Sequence, residues 1–151
     1  MTYIINREIY NNALVHIGQS AETANTDDYE ERAPYLLAAF CSTVKSLDKK
    51  VRKIDGGSSQ SSFSPVCLAL DQYFPLCDRF VPAAALYVAC MLVIDEDADL
   101  ADSLYDKYCD NVASIAAECE AASVSITPPT EDGEQLSICE CESITERYFF
   151  D

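Results

Sequence analysis

The chain has 151 residues, of which 49% are apolar; this is enough for one domain with a buried core and argues against disorder over the whole length. Its 26 acidic and 10 basic residues give a net charge of −16, which excludes the chain as a whole from strong binding to nucleic acid phosphates. Residues 1–94 carry ten acids and eight bases and are nearly neutral. The acidity therefore lies in the last 60 or so residues.

The apolar segments favour a soluble, cytoplasmic protein. Arg7 and Glu8 interrupt the position where a signal peptide needs a continuous apolar stretch. The longest apolar run, residues 81–94, contains Pro82 and is too short to cross a bilayer. Without export, most of the eight cysteines should be reduced thiols, and those on helical patterns should act as small buried hydrophobes: Cys41, Cys90, Cys109 and Cys119.

Helical spacing of apolar residues predicts a first helix over about 6–18, with Asn6 as its N-cap and Gly18 as its stop. A second helix is predicted over about 27–53, kinked or broken at Pro34. Its apolar stripe faces the core, and a group of bases falls on the opposite side: Lys45, Lys49, Arg52 and Lys53.

Residues 55–62 predict a flexible loop, and residues 63–78 an irregular segment whose aromatic side chains cover one end of the bundle. A third helix over about 79–94 is apolar nearly all round, which is typical of a central helix. A fourth helix runs from 95–99 to about 122. Opposite its apolar stripe lie five acids: Asp95, Asp99, Asp102, Asp106 and Asp110.

The sequence thus predicts an all-α fold, a bundle of about four helices over residues 1–122, followed by an extended C-terminal tail over residues 123–151. Pro128 and Pro129 exclude helix at the start of this tail. Apolar side chains within it either pack back on the bundle or bind a partner: Ile138, Ile144, Tyr148, Phe149 and Phe150.

No residue pattern predicts catalysis, a cofactor or a metal site. The only histidine, His16, has no oriented partner in the sequence, so a structural role is favoured over that of a general base. Zinc sites need four closely spaced ligands, and the one close cysteine pair is Cys139 and Cys141 in the tail, whose role the sequence leaves open. Four glycines and no phosphate-binding loop argue against nucleotide binding.

The two rows of charge on the second and fourth helices are the remaining functional candidates. Such rows are most often solvated helix faces. Alternatively, they are matched surfaces that meet between copies of the protein, or an acidic face turned toward nucleic acid that must slide without sticking.

Three segments carry a family resemblance: Asn12-Ala-Leu-Val-His-Ile-Gly18, Tyr29-Glu-Glu-Arg-Ala-Pro-Tyr-Leu-Leu37, and Phe74-Pro-Leu-Cys-Asp-Arg-Phe-Val-Pro-Ala-Ala-Ala-Leu-Tyr-Val-Ala89. In their order and spacing, roughly residues 5–120 resemble the head–tail connector family of tailed bacteriophages, also called head-completion adaptors. The match rests on helix order rather than on a diagnostic motif.

The resemblance implies a structural virion protein of the head–tail neck, assembled in the host cytoplasm, and not an enzyme. Copies of such adaptors form a ring, twelvefold in known members, between the portal protein and the tail-side stopper or tail terminator protein. DNA passes through the lumen without specific binding. The resemblance further implies lumen-facing acids on the fourth helix, subunit-interface bases on the second, and a portal-binding tail.

Two other classes compete with this interpretation. An acidic inhibitor that mimics DNA would suit the net charge, but a mimic spreads acids over a surface, whereas here they lie in one helix row and a tail. A small enzyme is disfavoured because no catalytic constellation can be built.

Overall fold

The computed structural model describes residues 3–18 and 26–125 and confirms the all-α fold, with no strand in these ranges. A single 3-10 turn, Asp78–Phe80, leads into the third helix. The fourth helix runs three residues past the predicted end of the bundle at 122. The four α-helices are α1 (Asn6–Ile17), α2 (Thr26–Asp55), α3 (Val81–Val93) and α4 (Ala98–Ser125).

Helix α3 is the centre of the bundle, as its composition predicts. It packs against each of α1, α2 and α4. Nine of its thirteen residues are buried, including Leu92 and Val88. A helix that is apolar on every side must be enclosed by other elements, so α3 fixes where the other three helices can lie.

The start of α1 differs from the prediction, because Ile5 and not Asn6 is the N-cap. Asn6 is fully buried in the first turn, where its Nδ2 donates to the carbonyl of Ala69 at 2.9 Å. Its backbone N–H donates to Gln72 O, and that of Arg7 to Leu70 O, each at 2.9 Å. The first N–H groups of a helix lack partners within it, and here carbonyls of a distant loop take the place of a capping side chain.

The end of α1 is the predicted one. Gly18 adopts the left-handed conformation, with φ of 78°, and its N–H donates to Leu14 O and Val15 O. This conformation is open to glycine without steric cost, and it satisfies carbonyls that the helix leaves over.

Helix α2 is not broken at Pro34. Its 30 residues form one continuous helix that includes this proline. The neighbours Ala33, Leu37 and Ala38 are fully buried. Tertiary packing of this face outweighs the hydrogen bond that proline removes, since most helix stability in proteins comes from packing rather than from local propensity.

The segment between α2 and α3 is irregular but anchored. Leu68, Leu70 and Leu76 are buried in the core, and Phe74 N donates to Ile4 O at 2.8 Å. The aromatic residues of this segment differ in burial: Phe74 is buried and Phe63 is half-buried. Tyr73, in contrast, is 65% exposed, and its ring lies 5.5 Å from that of the exposed Tyr3, so its predicted packing over the bundle is wrong.

Helix α4 begins at Ala98, where Asp97 caps it by accepting the backbone N–H of Leu100 at 3.0 Å. Asp95 therefore precedes the helix, in the turn that follows α3. The inner face of α4 buries Leu104, Tyr108 and Ile115.

The six cysteines of the described residues are all free thiols. Cys41, Cys90 and Cys119 are buried as predicted, whereas Cys109 is exposed, because it lies beside the outer face of α4. Burial raises the pKa of the Cys41 thiol to about 12, so it stays protonated near neutral pH. Among the described helices, none has the length and apolar content needed to span a membrane.

Candidate functional surfaces

The outer face of α4 carries a row of four exposed aspartates, Asp99, Asp102, Asp106 and Asp110, called here the acid row. Their spacing of three or four residues places them on one side of the helix, opposite the buried Leu104. Asp95 is also exposed but lies before the helix, so it is not part of the row.

The acid row has an electrostatic character of its own. Aspartates four residues apart are neighbours on a helix surface and repel one another. The ion pairs within the described residues use other carboxylates, those of Asp28, Glu30, Asp48 and Glu118. The row therefore presents uncompensated negative charge to whatever lies outside the bundle.

The bases predicted on α2 separate into two groups. Lys45, Lys49 and Lys53 are exposed and recur every four residues; they are called here the lysine row. The ammonium group of Lys45 lies 5.5 Å from the ring centroid of Phe63, within the range of a cation–π contact. The row is thus a narrow positive surface on an otherwise acidic protein.

Arg52 does not belong with these lysines, which corrects its predicted place among the interface bases. It is 8% exposed, and its Nε donates to Asp48 Oδ2 at 2.8 Å. Arg52 lies on the flank of the helix, where the loops after α2 cover it. Its Nη2 donates to Pro75 O at 3.1 Å and its Nη1 to Ser58 O at 3.3 Å.

Asp48 is the centre of this buried network. It is fully buried, and besides Arg52 its carboxylate accepts the side-chain amide of Gln60 at 2.7 Å and the backbone N–H of Cys77 at 2.8 Å. A buried carboxylate is tolerated only when it is paired and hydrogen-bonded, and these donors come from α2 and from both ends of the following loop. The loop predicted to be flexible is therefore tied to α2.

A second connection joins the start of α2 to the turn between α3 and α4. The buried Tyr29 donates its hydroxyl to Glu96 Oε2 at 2.5 Å, and burial together with this hydrogen bond raises the pKa of Tyr29 to about 12. The guanidinium of Arg32 donates to Met91 O at 3.0 Å at the C-terminal end of α3, where a positive charge is favourable.

Two grooves lie beside the lysine row. The smaller, of about 390 Å³, is lined by Lys49, Lys53 and the loop 57–60. The larger, of about 680 Å³, shares Ser58 and Ser59 with it. It continues to Asp78 and to four aromatic side chains, those of Tyr3, Phe63, Tyr73 and Phe74. Together they form an open surface that passes from positive charge to aromatic rings.

The other candidates from the sequence are not brought together. His16 is exposed near the end of α1. Within the described residues, no cluster of histidine, cysteine, aspartate or glutamate could hold a metal ion. The residues predicted to bind the portal protein, Ile138, Ile144, Tyr148, Phe149 and Phe150, lie outside the described part of the chain, as do Cys139 and Cys141.

Sequence reasoning missed the network around Asp48. One signal was available: Asp48 and Arg52 are four residues apart on a helix, the spacing at which opposite charges pair. Nothing in the sequence showed that Ser58, Gln60 and Pro75 would cover the pair.

Comparisons with protein families, curated sequences and solved structures gave no match to this chain.

Proposed function

We propose that the chain is a structural adaptor of the head–tail neck of a tailed bacteriophage, a ring subunit that joins the portal to the tail and forms part of the DNA channel. The observation that carries this proposal is the acid row: four aspartates on one exposed face of α4, backed by a buried apolar face. The resemblance of residues 5–120 to such adaptors supports it.

The acid row has the properties that a channel wall needs. Facing a lumen, each copy would add four like charges to a surface that repels DNA phosphates. At physiological salt, screening over about 8 Å confines this repulsion to the neighbourhood of the wall. DNA would then pass without adhering.

The lysine row supplies a surface for contact between copies. A closed ring is built from heterologous contacts, in which one patch of a subunit meets a different patch of the next. Lys45, Lys49 and Lys53 lie on α2 and the acid row on α4, so the two charged surfaces are distinct. In this arrangement the lysines face a neighbouring subunit while the aspartates face the lumen.

The remaining partners follow from the position of such a ring. The portal protein lies on one side, where the apolar residues of the tail would bind, and a stopper or tail terminator protein lies on the other. The location is the virion, after assembly in the host cytoplasm. No cofactor and no catalytic step are part of this function.

The first test is assembly with the portal protein. The full-length chain, mixed with the portal protein of the same phage, should form a ring on the portal that is visible by electron microscopy and has a defined mass in solution. The chain alone can be monomeric, because the portal can template the ring. Failure to bind the portal, together with a tight one-to-one complex with a DNA-binding enzyme, would replace the adaptor by a DNA mimic.

The lumen assignment has its own test. Replacing Asp99, Asp102, Asp106 and Asp110 by asparagine should make the assembled ring retain DNA or slow its passage. The matched control replaces four exposed acids elsewhere by their amides, namely Asp27, Glu31, Asp55 and Asp71. If both sets behave like the wild type, the acid row does not line the channel.

A further inference from the structure

The lysine row and the grooves beside it have no described occupant. Arg7, Arg32, Arg52 and Arg79 each pair with a carboxylate, and the lysine row takes part in none of these four ion pairs. Lys45 contacts the ring of Phe63, and Phe63 also lines the larger groove. The lysine row is therefore next to a groove lined by aromatic rings, serines and the carboxylate of Asp78.

We propose that this surface binds the C-terminal segment of the same chain, residues 131–150, with the acids of the segment on the lysine row and its aromatic residues in the larger groove. This contact forms within an isolated chain and does not depend on the proposed function; in the proposed ring it is released when the lysine row meets a neighbouring subunit and the segment binds the portal protein.

Charge and residue order support this occupant. Residues 131–146 contain six acids and no base, the reverse of the lysine row, and after the single base Arg147 come the aromatic residues Tyr148, Phe149 and Phe150. The bundle surface has the same order, lysines first and aromatic rings after them. A single extended segment can therefore contact the lysine row with its acids and the larger groove with its aromatic residues.

Helices α2 and α4 end at the same end of the bundle. Helices α2 and α4 pack against each other in the same direction, since Phe40 contacts Tyr108 and Cys119 lies near the end of α2. Burial raises the pKa of the Cys119 thiol, and the charges of Lys50 and Asp55 are close enough to act on it as well. The chain thus leaves the bundle at the same end as Lys53, with the lysine row on the far side of α2, about 10 Å across that helix.

The length of the segment is sufficient. Ser125 lies six residues beyond Cys119, about 9 Å further along the helix. The six residues from Ser125 to Glu131 span up to about 20 Å when extended, and Pro128 and Pro129 prevent continuation of the helix. The lysine row itself is about 12 Å long, so the acids can return to it without strain.

Zero-length cross-linking tests the contact directly. A carbodiimide joins a lysine amine to a carboxylate only where the two touch. We expect links from Lys45, Lys49 and Lys53 to acids between Glu131 and Glu146, with a yield that falls about fivefold in concentrated salt, because exposed ion pairs are screened. Lys107, an exposed lysine on α4, is the control and should link to this segment rarely.

An equal mixture of 14N- and 15N-labelled full-length chains identifies the source of each segment. Links within one chain join peptides of the same isotope, whereas links between copies give mixed pairs. Mixed pairs would replace the proposal by a contact between subunits. Equal linking of Lys107 would show that the segment has no specific site, and would overturn the proposal.

A charge reversal gives an independent measurement. In the variant Lys45→Glu/Lys49→Glu/Lys53→Glu, the backbone amide NMR shifts of residues 131–150 should change, because the acids now face like charge. The single variant Lys107→Glu should leave these shifts unchanged. The substituted residues are exposed, so the fold should be retained, which circular dichroism can check. Unchanged shifts in a folded triple variant would exclude the contact.

Discussion

Two sets of charged residues on neighbouring helices have opposite environments. Asp48 and Arg52 on α2 are buried, and loop groups complete their hydrogen bonds. The acid row on α4 is exposed and makes none of the ion pairs described. The first set therefore holds the loop against the bundle, whereas the second is available to act on something outside it.

This contrast separates charges that serve the fold from charges that serve an external task. Removing one member of a buried pair leaves the other charge without compensation, which is strongly unfavourable. Removing an exposed like charge relieves repulsion. Mutation of the first set should thus lower the free energy of unfolding, and mutation of the second should raise it. Unfolding measurements can test both expectations.

The largest effect is expected at Asp48. Asp48→Ala leaves the Arg52 guanidinium buried without its carboxylate and leaves the N–H of Cys77 without an acceptor. We expect the free energy of unfolding to fall by about 3–5 kcal/mol, measured by urea denaturation.

The control for this variant is Asp106→Ala, an exposed aspartate on α4, which should change the free energy by no more than about 0.5 kcal/mol. A double variant, Asp48→Leu/Arg52→Met, should lose less than Asp48→Ala, because it leaves no unpaired charge. If Asp48→Ala is as stable as the control, the network does not hold the loop.

A smaller effect is expected at Tyr29. Tyr29→Phe removes the hydroxyl that donates to Glu96 while keeping the buried ring. Glu96 is exposed and can bind water instead, so the loss should be about 1 kcal/mol.

The stability difference between wild type and Tyr29→Phe should also depend on pH. Burial raises the pKa of Tyr29 from 10.0 to about 12. Its contribution is then complete below pH 10 and is lost as pH rises toward 12, because the unfolded chain ionises first. Thermal unfolding of both proteins across this range should show the difference shrinking. A constant difference would mean that the fold does not raise the pKa of Tyr29.

The smallest change in the free energy of unfolding is expected for the acid row, and it should be a gain rather than a loss. Replacing Asp102, Asp106 and Asp110 by asparagine removes two like-charge pairs four residues apart, each worth about 0.2–0.5 kcal/mol. Stability at low salt should rise slightly, and the gain should vanish at high salt, whereas Asp71→Asn should show neither effect. A loss of stability would place the row among the charges that serve the fold.

Periodicity predicted those parts of the fold that depend on apolar residues. The central place of α3, the buried face of α4 and the stop at Gly18 are all confirmed. Each depends on local composition or on a single glycine, so neighbouring residues are enough to specify it.

Features that depend on distant residues could not be predicted. Asn6 was predicted to be the N-cap of α1. Instead, carbonyls of residues 69–72 accept hydrogen bonds from the first turn of this helix. Pro34 predicted a kink or a break; the break is absent, because packing carries α2 through this residue. Arg52 looked exposed because its helical position is only on the flank of the core, and the loops that cover it are invisible to periodicity. The acid row, in contrast, is a surface feature, and helical spacing alone located it.

The start of α1 has a consequence for protein synthesis. The hydrogen bond from Asn6 to Ala69 joins residues 63 positions apart; Arg7 N likewise donates to Leu70 O, and Phe74 N donates back to Ile4 O. A ribosome makes residues 3–18 first, yet the groups that complete the first turn of α1 emerge only after the whole of α2. The first helix to be made therefore reaches its final form after the second, and a pause in translation before residue 74 would leave it unanchored.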